Sequence, residues 1–397
     1  MKKRLLYIAT DFDNTNSAMR ARVDNFNRIF GGLGYKIVVV AEGFGRENYS
    51  ENKNGICQVY TNMRCRTGIT YRINYAIEKL FHIRIDRLIR CMLRSFSPSL
   101  IMVYGYCNNK MLYQYCKQSS ERVLITDVTD WFVPNDRDRF FEKIIALFDD
   151  YTVRKKNLYT DGIIAVSPMI EKYYRRKQKE TIRVPAIVDL ETAREFRDYS
   201  DVFSKKRPLR IAYTGAKYDE IAPVVKAVTI MNKNKLRVFF DIYGVSENDL
   251  ETVYGIPDAR EVGIRAHGVI AHDRLFSVIS KADFTILLRQ PLHCEKAGFS
   301  TKAAESMSCA VPVIMTSIGG TDSIIIDNVN GLLLKDNTVN SIVSKLNEIM
   351  NYSKQDIVGI KNGASDTADN LFSIEKNRIQ IDGFIESIIQ KKNRILI

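Results

Sequence analysis

Apolar residues along the chain come in short runs, separated by stretches long enough for a helix. Residues 3–9 form a run suited to a buried parallel strand, residues 16–33 carry helical spacing, and Gly34 stands where a helix would stop. A β-branched run at 36–41 completes a βαβ unit, and further apolar runs follow at 100–104, 122–126, 162–166 and 182–185. Strands spaced by helices predict a parallel sheet covered on both faces. Between 188 and 208 the pattern gives way to charge (DLETAREFRDYSDVFSKKRP), which reads as a junction. The alternation then restarts, with strands expected at 209–213, 236–243, 284–288, 311–315 and 331–334, and helices at 274–282 and 338–351. The pattern therefore predicts two doubly wound α/β domains in succession.

Composition narrows the class. The chain has 397 residues, a length suited to two such domains, and 45% hydrophobic with 26% charged residues is the balance of a globular protein. No apolar run approaches the ~20 residues of a spanning helix. The first residues, MKKRLLYIATDFDNT, turn acidic too soon for a signal peptide, so a cytoplasmic location is expected. Seven cysteines without a C-x-x-C pair suggest neither a disulfide framework nor a zinc site. The formal charge of +13 points to an anionic partner (nucleic acid, lipid or a phosphorylated substrate) or to a role in solubility. No zinc finger, RNA-recognition aromatics or helix-turn-helix pattern accompanies it, which argues against nucleic acid.

The chemistry concentrates in residues 289–314, RQPLHCEKAGFSTKAAESMSCAVPVI. This stretch starts at the C-terminal end of an expected strand, the edge where open α/β sheets bind ligands. Gly298, Phe299, Ser300 and Thr301 lead into a helix over 302–308 that Ser300 or Thr301 can cap. Free amides and the macrodipole make such a helix start an anion site, and Lys302 adds a full charge there. Glu305 lies about one turn further in, where a carboxylate can accept both hydroxyls of a ribose. The plain alternative is a capping box, but three residues on from Ser300 or Thr301 stands alanine, so Glu305 misses that role.

GFSTKAAESMSCAVPVI is similar to the donor-site signature of glycosyltransferase family 4 and its relatives, which have the GT-B fold. Gly319-Gly320-Thr-Asp-Ser-Ile-Ile325, Asn330-Gly331-Leu-Leu-Leu334, Ala266-His267-Gly268-Val269, Lys281-Ala282-Asp283-Phe284 and Tyr213-Thr214-Gly215 resemble other elements of that pattern. The likeness covers most of residues 209–390 and is weaker before them. It implies two Rossmann-like domains: 1–187 binding the acceptor, joined by a returning helix at 373–397, and 188–372 binding the donor. It implies that Glu305 holds the donor ribose and that Gly298, Phe299, Ser300, Thr301 and Lys302 line the diphosphate. Gly215, Lys217, His267 and Arg289 join the donor-binding set, although the plain reading of His267 is a satisfied loop histidine. Asp127 and Asp130 would face the cleft as catalytic residues. The family carries two glutamates eight positions apart; the first is Ala297 here. Many members also have an arginine beside Lys217, and this chain does not.

The activity so implied is transfer of a sugar from a nucleoside-diphosphate sugar to an acceptor hydroxyl, with retention, in bacterial cell-surface polysaccharide or glycan synthesis. No metal or other cofactor is required in principle, because the cations and helix start can stabilise the leaving diphosphate. The acceptor would be a glycan or lipid-linked. A catalytically silent GT-B binding subunit and a nucleotide-sugar epimerase are the alternatives. Two other signals compete. A strand followed by Asp11, Asp13 and Thr15 mimics the nucleophile loop of haloacid-dehalogenase phosphatases, though no later Lys and acidic-pair motif follows. Residues 72–96 place Phe81, Ile85, Leu88, Met92 and Phe96 at helical spacing among basic residues. With the cluster 172–179, they suggest peripheral contact with an anionic membrane, at the inner face of the plasma membrane; the plain alternative is a core-packed helix with a solvated basic face.

Overall fold

A computed structural model describes residues 3–9, 18–44, 49–53, 56–63, 83–105, 107, 109–135, 139–204, 206–318 and 323–395. Asp11, Asp13, Thr15, the stretch 72–82 and Gly319 to Asp322 lie outside the described residues. The chain divides into two units. Met1–Pro185 and Ile374–Ile397 form the first, together with the three residues Ala297–Phe299; Ala186–Lys296 and Ser300–Ser373 form the second.

The first unit is built on an eight-stranded sheet: β1 (Arg4–Ala9), β2 (Lys36–Phe44), β3 (Tyr49–Lys53), β4 (Ile56–Met63), β5 (Leu100–Tyr104), β6 (Val123–Val128), β7 (Gly162–Ala165) and β8 (Thr181–Arg183). Their order is β3-β4-β2-β1-β5-β6-β7-β8. All neighbours are parallel except β3, which pairs antiparallel with β4 at the edge. The hairpin β3–β4 was not anticipated, because YSENK and ICQVYTNM have no sustained apolar run. β1 is buried on both faces. Leu6 and Ile8 meet Ile85, Ile89 and Leu93, while on the other face Tyr7 packs edge-on to Phe26 with ring centroids 6.3 Å apart. The helix Ile83–Ser95 thus turns its apolar side into the core, with Leu88, Met92 and Phe96 packed against the same cluster. That corrects the membrane reading of this segment: its described apolar side chains are spent on the sheet, and Arg87, Arg90 and Arg94 form its solvated face.

The C-terminal helix Ile374–Ile395 belongs to the first unit, buries Ile381, Phe384, Ile385 and Ile388, and contacts the helix Ala18–Gly32. Gly162 makes its approach possible, since a Cβ there would lie 2.5 Å from Ile388 and 2.7 Å from Phe384. Lys392 anchors the far end, donating to the carbonyls of Arg122 (2.6 Å) and Cys116 (3.2 Å) and pairing with Asp161 at 3.0 Å.

The second unit carries six parallel strands: β9 (Leu209–Thr214), β10 (Val238–Tyr243), β11 (Ile264–Ala266), β12 (Phe284–Leu287), β13 (Val313–Thr316) and β14 (Gly331–Leu334). Their order is β11-β10-β9-β12-β13-β14. β11 is three residues long, too short to register in the apolar pattern. The charged run 188–208 is part of this unit rather than a free junction. Arg197 binds Asp369 (2.8 and 3.1 Å) and the carbonyl of Ser308 (2.9 Å), while Arg207 forms two 2.8 Å bonds to Asp283. Arg194, Arg197, Asp201 and Arg207 are held in ion pairs, and Val202 and Phe203 are buried beside them. Strand order reverses between β9 and β12, and ligands of open α/β sheets bind outside the carboxyl ends of strands at such a point.

Candidate functional site

Two chain segments leave the sheet at that reversal. After β9 the chain passes Gly215 to Lys217 and enters the helix Tyr218–Met231; after β12 it passes Arg289 and enters the short helix His293–Ala297. Gly215 has φ +146°, and a Cβ on it would fall 2.5 Å from the Lys302 amine and 2.9 Å from the Tyr213 hydroxyl. Glycine therefore lets the lysine lie against the backbone here.

Three cations are strung on two carboxylates. The Lys217 ammonium lies 3.2 Å from both Glu220 and Glu295, Arg289 Nε donates to Glu295 at 3.2 Å, and Lys302 lies 3.6 Å from Glu220. Lys302 also donates to Tyr213 Oη at 2.9 Å and stands 4.3 Å above that ring's centroid. Burial pushes Glu295 upward, but the Lys217 and Arg289 charges outweigh it and hold the carboxyl below its usual range. Burial lowers Lys302, with Glu220 opposing and Lys217 reinforcing, so its amine sits below the ordinary lysine value. For Lys217 burial also lowers, yet Glu220 and Glu295 prevail and raise it. Three positive against two negative groups leave one excess positive charge. Moreover, the buried Nη1 of Arg289 has no hydrogen-bond partner, an open donor in a place where one is costly.

The helix Thr301–Ser308 completes the set. Ser300 occupies its N-cap position, but its side chain makes no capping bond, which corrects the expectation that it or Thr301 caps. The amides of Thr301 and Lys302 donate to no described residue. Ala303, Ala304 and Ser306 bury the opposite face, with Ser306 bonded to Thr285 (2.6 Å) and the Val311 carbonyl (2.7 Å). Glu305 is half-buried and makes no hydrogen bond or ion pair among the described residues. Burial pushes its carboxyl up to about 7, with the charge of Lys302 pulling the other way.

Other expected residues fall elsewhere. Ala297 is buried in an apolar cluster with Val128, Trp131 and Tyr174, with Phe299 packed against it; these two positions, and Gly298 between them, group with the first unit. His267 stacks on Tyr243 with centroids 4.5 Å apart, and its Nε2 lies 2.7 Å from Asp241, the satisfied histidine of the plain reading. Asp127 has no accessible surface. Its two oxygens take 2.7 Å bonds from Arg22, which also reaches the Val184 and Pro185 carbonyls. A carboxylate so enclosed by one guanidinium is a structural anchor, which corrects its assignment as catalytic. Asp130 is exposed just beyond β6, with the Thr129 hydroxyl 3.2 Å away. Sequence reasoning missed Glu220 and Glu295; the one available signal was an acid three residues after Lys217. Among the described residues no cluster of three or more His, Cys, Asp or Glu is placed to hold a metal.

Residues 211–365 match the family described as Glycosyl transferases group 1. Over 98% of this chain and all of the other, the fold matches sucrose-phosphate synthase from Thermosynechococcus elongatus with a TM-score of 0.73 at 14% identity. The whole chain thus has the GT-B fold, and residues 211–365 carry the likeness to glycosyl transferases. Anabaena HepE, solved in complex with UDP and glucose, shares the fold at TM-score 0.62 and 14% identity, over 98% of this chain and all of that one. Two uncharacterized glycosyltransferases of Methanocaldococcus jannaschii are similar in sequence. MJ1178 is 38% identical over 79 residues, 20% of this chain and only 21% of that protein. MJ1069 is 20% identical over 279 residues, 68% of this chain and 70% of the other.

Proposed function

We propose that this GT-B glycosyltransferase takes a sugar from a nucleoside-diphosphate sugar and transfers it to an acceptor hydroxyl, within bacterial surface polysaccharide or glycan synthesis. The observation that carries this is the convergence of Lys217, Arg289 and Lys302 with two unused amides and the partnerless Glu305 at the strand reversal of the second unit. A diphosphate leaving group gains negative charge as the anomeric bond breaks. Fixed cations and amides that meet it lower the barrier without reorganising. The open Nη1 of Arg289 and the amides of Thr301 and Lys302 are donors suited to it. Glu305, four residues into the same helix, suits the ribose diol, and the base would lie further along, towards His267. The cations come from the protein itself, so no metal need bridge the diphosphate.

The likeness of GFSTKAAESMSCAVPVI to family 4 supports retention at the anomeric carbon. Of the two carboxylates expected there, Asp127 is sealed by Arg22 and the exposed Asp130 is the one accessible to an acceptor. The acceptor we infer is a glycan or a lipid-linked one, reached from the cytoplasmic side of the membrane. No described helix is long and apolar enough to cross one.

Ala297 favours a second reading, a GT-B protein that binds donor without transferring it, since the side chain at this place is buried among apolar groups. Calorimetry against UDP, GDP and ADP, followed by release of nucleoside diphosphate from the matching sugar, separates the readings. Release that depends on an acceptor fits the transferase. Binding without release fits the silent subunit, and conversion of donor without acceptor fits an epimerase. No binding of any nucleoside diphosphate would remove the basis of the proposal.

A further inference from the structure

The helix Phe140–Tyr151 in the first unit is inside out. A helix on a globular surface normally buries its apolar stripe and shows its polar one. Here Ala146 and Asp149 are the buried residues. Phe140 (73% exposed), Ile144 (39%), Leu147 (59%) and Tyr151 (51%) stand at i, i+4, i+7 and i+11 on the open side, and Phe141 (71%) widens the stripe. Phe132 and Tyr159, just before and after the helix, are exposed as well. Soluble surfaces scatter such residues singly; a continuous stripe marks a surface with something to cover it.

The charge around the stripe says what would cover it. The helix runs into a π-helical turn, Thr152–Lys156, that ends in Arg154, Lys155 and Lys156. The next helix, Pro168–Arg176, is held to this turn by Tyr173, whose hydroxyl donates to the Arg154 carbonyl at 3.2 Å, and by Tyr174, which donates to the Val153 carbonyl at 2.6 Å. The acids on these elements are engaged. Glu142 accepts from the Arg139 amide at 2.8 Å, Asp150 accepts from Trp131 (2.7 Å) and Arg154 (2.6 Å), Glu171 pairs with Arg175 at 2.9 Å, and Asp149 is buried. Lys143, Lys155, Lys172 and Arg176 have no ion-pair partner among the described residues.

We propose that this face docks on an anionic lipid bilayer, the aromatic and aliphatic stripe entering the headgroup boundary and the unpaired lysines and arginine facing the lipid phosphates. An apolar face rimmed by basic side chains is the pattern of an interfacial helix, and aromatic rings partition favourably to that depth. The positive rim sets a second copy of the same face against like charge. The apolar element differs from the one expected from sequence, since the described apolar residues of Ile83–Ser95 are in the core, while Lys172 and Arg176 belong to the basic cluster 172–179 expected there. The proposal is independent of the donor chemistry.

The test is sedimentation of the full chain with vesicles of phosphatidylcholine alone, or mixed equally with phosphatidylglycerol, at low and high salt. Binding to the mixed vesicles at low salt is expected. A variant carrying Phe140→Ser, Phe141→Ser and Leu147→Ser should lose binding by about tenfold or more, and so should Lys155→Glu with Lys172→Glu. All five positions are exposed, so thermal melting and nucleotide binding should be unchanged in both. Absence of binding to mixed vesicles at low salt overturns the proposal. So does full binding by the serine variant, which would leave the stripe outside the contact. Self-association in ultracentrifugation that the serine variant abolishes, without vesicle binding, would assign the face to a second copy instead.

Discussion

Glu305 shows how one carboxyl can be bad for stability and good for a ligand. Its folded-state value of about 7 lies above the 4.5 of a free glutamate, so the folded chain holds a proton that the unfolded chain releases. By linkage, folding loses stability as pH rises from about 4.5 to about 7, and the full loss persists above that. Glu305→Gln should therefore melt at a higher temperature than the parent at pH 8 without ligand, with little difference near pH 4.5. If the carboxylate takes the ribose diol, the same substitution should weaken nucleoside-diphosphate binding by about 1.5–3 kcal/mol, the scale of a charged hydrogen bond. Unchanged affinity in calorimetry would remove Glu305 from the site. Lys302 supplies the opposite arm. Its value is lowered, so the charge a diphosphate needs is lost earlier in pH than for a free lysine. Affinity should fall on the acid side of about 7 as Glu305 protonates, and again on the alkaline side as Lys302 deprotonates. Lys302→Ala should cost far more for UDP than for uridine and should erase the alkaline limb; equal losses for both ligands would place Lys302 away from the phosphates. Lys302 and Glu305 stood out in the sequence because a cation at a helix start, with a carboxylate that misses the capping-box spacing, suits an anionic ligand. Their balancing partners did not, because Glu295 and Glu220 gain meaning only when β9 and β12 come side by side.

At the scale of elements, legibility followed apolar content. β1, β5 and β12 are near-continuous hydrophobic runs because helices cover both sheet faces, and such runs stand out. The edge strand β3 reads YSENK, with no apolar run to mark it as a strand. The helices Ile83–Ser95 and Phe140–Tyr151 give the complementary lesson. Both are amphipathic, and periodicity alone does not say which face turns inward; the first buries Ile85, Ile89 and Leu93, the second buries Ala146 and Asp149. Close approach between elements was equally silent. The helix Lys354–Leu371 lies so near the turn at 329–330 that a Cβ on Gly363 would fall 2.1 Å from the Val329 carbonyl. That oxygen is backbone and cannot swing aside as a side chain would. Gly363→Ala, although favourable for an isolated helix, should thus destabilise the second unit by about 1–3 kcal/mol, the usual cost of overpacking. A melting temperature equal to or above the parent's would show that the turn yields.

At the scale of the whole molecule, the crossing points were readable only approximately. The alternation restarts only after 208, while the family resemblance implied a division at 187/188; the structure divides the chain between Pro185 and Ala186. Periodicity alone says nothing of the run 188–208, because its Arg197 and Arg207 are placed by ion pairs with residues far along the chain, Asp369 and Asp283. Each unit has its own sheet and its own buried core, and the first is closed by a helix from the far end of the chain. Two such bodies should unfold as two transitions in calorimetry. The groups proposed for the donor lie mainly in the second, so UDP should raise one transition by mass action, by about 2.7 kcal/mol at a hundredfold excess over its Kd. Lys302→Ala should remove that shift. Phe384→Ala, which empties a buried position of the C-terminal helix, should lower only the other transition. The combination assigns each transition to a unit without separating the units. A single transition, moved alike by UDP and by Phe384→Ala, would mean instead that the two cores melt as one and that donor binding is felt throughout the chain.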